Sequence, residues 1–223
     1  MNQVNPVYAR AEASALQTNK VIRDTYALLS LTLLFSALTA GLSMAFDLPH
    51  PGLLITLVGY FGLLFLTTKF RNSALGIVFV FALTGFMGMT LGPILNAYIG
   101  HYANGTELVI TALGGTGAIF VGLSAYALTT RKDFSYMGGM LTAGILVAFL
   151  AGLGAVVFDI PGLSLAVSAM FVLLMAGLIL YQTSEIIHGG ETNYIMATVT
   201  LYISIYNLFT SLLQLLGVLG GDD

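Results

Sequence analysis

The chain has 223 residues, of which 57% are hydrophobic and only 8% charged, with a net charge of −3 and a mean hydropathy of +0.94. Soluble domains carry about 25% charged residues, so this composition excludes a water-soluble globule and predicts a polytopic membrane protein. The absence of cysteine excludes disulfides and thiolate chemistry, and no basic patch is large enough to suggest nucleic-acid binding.

The chain begins with a polar segment, residues 1–24, that lacks the short apolar core of a cleavable signal peptide. We expect the first apolar span to act as an uncleaved signal anchor. The sequence therefore predicts an N-terminal tail over residues 1–24, a membrane domain over 25–219 and a short C-terminus over 220–223.

Apolar segments near the length of a bilayer crossing recur along the membrane domain. They are continuous and rich in Leu, Ala, Gly and Phe, which favours helices over the alternating strands of a barrel. Seven segments are predicted as transmembrane helices, which makes the fold all-α: 25–46, 53–68, 74–95, 108–130, 137–158, 163–181 and 194–219.

The basic residues all fall before the first segment or in alternate loops. They are Arg10, Lys20, Arg23, Lys69, Arg71, Arg131 and Lys132. Because positive residues are retained in the cytoplasm, this pattern predicts a cytoplasmic N-terminus. Seven spans then put the C-terminus on the periplasmic side.

Small residues predict where membrane helices approach one another. The third segment contains Gly85, Gly88 and Gly92 at helical spacing, followed by Pro93, which is expected to kink or end the helix. Glycines in the fourth and fifth segments suggest further close packing. A broken helix lining a transport path is the alternative, and it would fit a small-solute transporter.

The seventh segment carries a polar stripe at helical spacing: Thr200, Ser204, Asn207, Ser211 and Gln214. Lipid would penalise such a stripe, so it should face the bundle interior and place helix 7 centrally. Its side chains could bond neighbouring helices or line a hydrated pathway. No ionised side chain lies deep in any segment, which counts against an energised pump.

The stretch LYQTSEIIHGGETNY, residues 180–194, separates the last two segments. Glu185 and His188 have the Glu-x-x-His spacing of di-iron bundles, but no second copy exists, so we predict no metal site. The motifs of hydrolases are absent as well, and we predict neither a catalytic residue nor a cofactor. His188 could sense pH or be an ordinary loop histidine, and Gly189 and Gly190 should end the sixth helix.

Three stretches of this chain resemble the Bax inhibitor-1 family: TTRKDFSYMGGML, TGFMGMTLGPIL and IIHGGETNYIMATVTLYISIYNLFTSLLQLLG. The likeness is strongest to the proteobacterial inner-membrane branch that modulates the FtsH protease. The resemblance implies a seven-helix bundle with helix 7 at its centre. For the family at large it also implies a leak of calcium ions or protons, controlled by two facing aspartates in helices 6 and 7.

This sequence departs from that pattern at both aspartates, which are replaced by Gln182 and Ser204. Two carboxylates can share a proton and respond to pH, whereas these two side chains do not titrate. We therefore expect a modulator of FtsH in the bacterial inner membrane, gripped through a tail that contains Arg10, Lys20 and Arg23. The alternative is a passive leak along the polar face of helix 7, with Glu185 as a replacement carboxylate.

Overall fold

The computed structural model describes the backbone of residues 6–220 and the side chains of residues 16–220. In that part of the chain the long elements are α1 (Pro6–Ala45), α2 (Leu53–Lys69), α3 (Ala74–His101), α4 (Gly105–Thr130), α5 (Gly138–Val157), α6 (Pro161–His188) and α7 (Tyr194–Gly220). Six of these are long and apolar enough to cross a membrane, while α2 is shorter at 17 residues. The all-helical, polytopic membrane class is confirmed.

Helix ends follow local backbone chemistry. Proline occupies the first position of α6, where its missing N–H is not needed, and Gly189 ends that helix with a left-handed φ of 79°. The prediction that the glycine pair ends the sixth helix is confirmed.

Pro93 does not end α3, which continues to His101. Membrane helices tolerate proline because neighbouring helices and local adjustments satisfy the freed backbone groups. Of the two expectations for Pro93, an end of the helix is wrong and a kink stays a prediction. The continuous α3 gives no support to a broken-helix transport path.

The loops lie at two ends of the bundle. At one end, Asn193 Nδ2 donates to Arg71 O at 2.9 Å, which joins the α6–α7 and α2–α3 loops. His188 Nε2 lies 3.1 Å from Arg131 O in the α4–α5 loop. We call this the basic end, because the basic residues with described side chains flank or occupy these loops or lie in the first half of α1. At the opposite end, Asn96 of α3 donates to Asp47 in the α1–α2 loop at 3.1 Å.

The seam between α1 and α3 depends on glycine. A Cβ at Gly88 would collide with Ser36 O and Thr39 Oγ1, and a Cβ at Gly92 would lie 2.6 Å from Ser43 Oγ. The predicted small-residue packing of α3 is thus confirmed. Close packing does not occur at every glycine of α4. A Cβ at Gly114 or Gly117 would have no atom within 4 Å, so these two glycines face open space.

Helix α7 packs against α1, α3, α4 and α6. Its buried side chains include Leu201 and Tyr202, which join Leu29 of α1 and Leu83 of α3 in one apolar cluster. These contacts bring its polar residues next to several other helices at once.

Candidate functional site between α6 and α7

Gln182 and Ser204 both lie inside the bundle. Gln182 is 6% exposed, and its Nε2 has no hydrogen-bond partner among the described residues. Ser204 is fully buried and donates to Thr200 O of its own helix at 2.8 Å. The pair offers polar atoms to the interior but no group that ionises near neutral pH.

The rest of the α7 stripe is buried to different degrees. Ser211 is 7% exposed, whereas Thr200 and Asn207 are half-buried. Asn207 Nδ2 donates to Ile203 O at 2.9 Å, again within α7. Ser204 and Asn207 therefore satisfy part of their hydrogen bonding within α7.

Gln214 connects α7 to α6 through both ends of its amide. Its Oε1 accepts a hydrogen bond from Ser168 at 2.6 Å, and its Nε2 donates to Ser164 at 2.6 Å. The two serines are one helical turn apart, so a single planar amide spans both. The stripe on α7 predicted hydrogen bonds between helices, and these bonds lie at the end of the bundle opposite the basic end.

Tyr202 forms a buried link that the stripe pattern did not reveal. Its hydroxyl donates to Thr84 O of α3 at 3.2 Å and lies 2.6 Å from Ser36 Oγ of α1. Because a carbonyl can only accept, the tyrosine proton goes to Thr84 and Ser36 donates to the tyrosine oxygen. The side chain is 1% exposed and joins three helices.

At the basic end, His188 connects α6 to the α4–α5 loop. Its Nδ1 lies 2.9 Å from Ser184 O and its Nε2 3.1 Å from Arg131 O. A neutral imidazole carries one N–H and can donate to only one of these carbonyls, whereas the protonated ring can donate to both. The ring thus joins α6 to the α4–α5 loop. A role for His188 in pH sensing stays a prediction.

Two carboxylates lie near this histidine. Hydrogen bonds from the Ser135 side chain and backbone hold the pKa of the exposed Asp133 carboxyl below its usual value, and His188 acts in the same direction. The Glu185 carboxylate lies against Gly190, in the turn that ends α6. Glu185 is therefore at the end of the helix, away from a position deep in the bundle. Among the described residues, no group of three or more His, Cys, Asp or Glu side chains could hold a metal ion.

Comparison with known proteins assigns the chain to a protein family. The family model described as inhibitor of apoptosis-promoting Bax1 matches residues 18–221. The chain belongs to the Bax inhibitor-1 family. It is 54% identical over 209 residues, 94% of each chain, to the Escherichia coli K12 protein named modulator of FtsH protease YccA. An uncharacterised protein of Pseudomonas aeruginosa is 56% identical over 96% of each chain, and protein lifeguard 4 of mouse is 30% identical over 92% of this chain and 88% of its own.

Membership of the Bax inhibitor-1 family also bears on Gln182 and Ser204, the two positions at which the resemblance implies aspartates. The aspartates that the resemblance assigns to these positions are replaced by side chains that are themselves buried. A role for either position stays a prediction, and the sequence could not reveal that the Gln182 amide nitrogen lacks a partner among the described residues.

The tail residues are placed only in part. Arg10 lies in α1, but its side chain falls outside the described residues. Lys20 is exposed, and Arg23, whose side chain is 75% exposed, forms an ion pair with the adjacent Asp24 at 3.0 Å. Val21 already packs against Ile186 and Ala197, so among the described side chains it is the first in a buried cluster.

Proposed function

We propose that this protein is a non-enzymatic inner-membrane regulator that engages the FtsH protease in a substrate-like manner and modulates its proteolysis. The observation that carries the proposal is the 54% identity, over 94% of both chains, to a relative named for that activity. A second relative of the same identity is named as an inner membrane protein, which supports the same membrane for this chain.

In this proposal the chain crosses the membrane seven times, with α7 central and the basic end in the cytoplasm. Helix α2 is about 25 Å long at 1.5 Å per residue, which is close to the hydrocarbon thickness of roughly 30 Å. It starts at Leu53, near the opposite end, and ends at Lys69, beside Arg71 at the basic end. The positive residues then lie on the side where they are normally retained.

The proposed handle for the protease is the N-terminal tail over residues 1–24, and within it the part before Val21 is the easiest to open. Helix α1 continues from its membrane span back to Pro6, but Leu16 is 65% exposed and Val21 is the first residue in a buried cluster. Residues 16–20 are mostly exposed, and a helix segment with few buried contacts opens locally at little free-energy cost. The protease could therefore grip this end while the packed bundle resists extraction.

A truncation tests the handle. We expect deletion of residues 2–15 to lengthen the lifetime of the protein in cells that contain FtsH and to restore degradation of another membrane substrate. Deletion of residues 221–223 is the matched control and should change neither lifetime. In cells without FtsH all three forms should be equally long-lived. An unchanged lifetime after the N-terminal deletion rejects the handle, and an unchanged second substrate in the presence of the full-length protein rejects the modulation itself.

The second candidate is a passive leak of calcium ions or protons along α7. Three buried polar atoms without hydrogen-bond partners among the described residues favour it: Gln182 Nε2, Thr25 Oγ1 and Ser124 Oγ. Such atoms commonly bind ordered water. Gln182 and Ser204 cannot share a proton, so pH gating of the kind that a pair of aspartates provides is not expected.

Reconstitution into liposomes with an enclosed calcium dye or pH dye decides between these candidates. The wild-type protein and the double variant Gln182→Asp/Ser204→Asp form a matched pair. Flux of either ion through the wild type supports the leak. The absence of flux at every pH, with pH-dependent flux in the double variant, rejects a leak in the natural protein and leaves the protease proposal.

A further inference from the structure

A cavity of about 590 Å³ lies between α2, α3, α5, α6 and α7. Phe86 of α3, Phe171 of α6, and Tyr206 and Asn207 of α7 are among its lining residues. Its volume is within the range of roughly 300–1,000 Å³ that is typical of small-molecule sites. Asn207 and Phe171 lie near the middle of their helices, so the cavity is at the depth of the membrane interior.

Two walls of the cavity, α2 and α5, carry side chains that also reach the outer surface of the bundle. The backbone of α2 packs extensively against α3, whereas its contact with α5 includes an edge-to-face pair of Phe61 and Phe149 rings, 5.9 Å apart. Phe61 is 47% exposed and Leu146 59% exposed, although both also line the cavity. The cavity is therefore continuous with the apolar outer surface that faces lipid.

Most polar side chains in the wall already use a donor within the protein, with the Tyr60 hydroxyl as the exception. Thr56, Thr90 and Thr142 each donate to a backbone carbonyl at 2.8 Å, three or four residues earlier in the chain. The Tyr206 hydroxyl lies 3.4 Å from Thr90 Oγ1, and Asn207 Nδ2 donates to Ile203 O. The threonines thus leave mainly methyl groups for an occupant, and none of the lining residues, all from the described part of the chain, is charged.

We propose that this cavity binds one hydrocarbon chain of a membrane lipid, which enters between α2 and α5. An empty space of this size would lose dispersion contacts along its whole wall. Water would need two to four polar partners per molecule, and an ion would need charged or carbonyl ligands. A hydrocarbon chain needs neither, and the bilayer supplies such chains at the mouth of the cavity.

The absence of tryptophan from the chain makes a direct test available. The protein would be reconstituted with phospholipids brominated in the middle of the acyl chain, which quench tryptophan on contact. Phe171→Trp places the reporter in the cavity. Leu173→Trp, on the same helix and 75% exposed, is the lipid-facing control, and Phe209→Trp, 4% exposed and packed among other residues, is the buried control.

We expect the brominated lipid to quench the Phe171→Trp reporter to the same extent as the Leu173→Trp reporter, while the Phe209→Trp reporter keeps its fluorescence. Aqueous iodide should quench none of the three. Quenching of the cavity reporter by iodide would show a water-filled cavity, and quenching by neither agent would show a closed or protein-filled one. Either result overturns the proposal.

A second pair of variants guards against a local misfold. Phe86→Trp places a reporter on the α3 wall of the same cavity and should behave like Phe171→Trp. Ile145→Phe adds volume to the α5 wall, so we expect it to reduce lipid quenching at either cavity reporter and to leave the Leu173→Trp reporter unchanged. If the added volume leaves quenching in the cavity unaltered, the bound chain is not in this space.

Discussion

Tyr202 joins three helices through one hydroxyl group, which connects Ser36 of α1 with the Thr84 carbonyl of α3. In lipid there is little hydrophobic force between helices, so such contacts make a larger relative contribution to association. We expect Tyr202→Phe to lower the free energy of unfolding by about 0.6 kcal/mol, the average for polar contacts between membrane helices, and by no more than about 1.7 kcal/mol.

A double-mutant cycle with Ser36→Ala measures the Tyr202 contact. If the two hydroxyls bond each other, the double variant should lose less stability than the sum of the single variants. Unfolding in mild detergent, followed by far-UV circular dichroism, gives the three values. Tyr136→Phe, at a side chain that is 78% exposed, is the control and should match the wild type. Strict additivity would contradict the bond.

Sequence reasoning predicts some residues of the candidate site but not their partners on other helices. Gln182, Ser204 and the α7 stripe could be proposed from the sequence, because spacing and family resemblance each concern positions within a single segment. Tyr202 was missed because aromatic side chains are common on apolar helices, and its two partners come from distant segments. Partners across helices depend on rotation and packing, which no single segment encodes.

At the scale of the element, the α1–α3 seam depends on close backbone approach. A methyl group at Gly88 meets Ser36 O, a backbone atom that cannot rotate away. We therefore expect Gly88→Ala to separate the two helices and to lower the free energy of unfolding by about 1–3 kcal/mol, the usual effect of overpacking. The midpoint of thermal unfolding in mild detergent would fall accordingly.

Gly117→Ala is the matched control for Gly88→Ala. Both glycines lie within helices, but a Cβ at Gly117 meets no atom within 4 Å. Alanine is the better helix former by about 0.5–1 kcal/mol, so this variant should be as stable as the wild type or more stable. Equal losses in the two variants would show that the seam is not the cause.

The α6–α7 pair gives a third prediction, at the amide of Gln214. Gln214→Leu keeps most of the volume but removes the hydrogen bonds to Ser164 and Ser168. At about 0.6 kcal/mol for each contact, we expect a loss of roughly 1 kcal/mol in the free energy of unfolding. The same substitution in a Ser164→Ala/Ser168→Ala background should cost less, and an equal loss there would assign the effect to packing.

Helix positions could be predicted from sequence more accurately than helix ends. The predicted segments 53–68 and 137–158 nearly coincide with α2 and α5, because charged residues, proline and glycine border them. The predictions stopped short in α3 and α6, and α1 begins well before residue 25. Hydropathy marks the part of a helix that lipid covers, whereas backbone hydrogen bonding continues the helix into polar sequence.

In the whole molecule, the side of the membrane on which each basic loop lies depends on the number of helices that cross the membrane. Lys69, Arg71, Arg131 and Lys132 lie in or beside loops that contact the α6–α7 connection. That connection has no lysine or arginine of its own. If α2 crosses the membrane, all these loops share the cytoplasmic side. If α2 does not cross, the α4–α5 and α6–α7 loops move to the side opposite the N-terminus.

The absence of cysteine allows single-cysteine labelling to decide between these topologies. We expect a membrane-impermeant maleimide to label His101→Cys and Asp159→Cys in cells with a permeabilised outer membrane. Ser73→Cys and Thr192→Cys should react only after the inner membrane is disrupted. All four positions are exposed, so failure to react reports sidedness rather than burial. None of them removes a lysine or arginine, so the substitutions leave the charge signal for orientation intact. A chain in which α2 fails to cross would give the reverse pattern at all four positions, and that result would exclude seven spans.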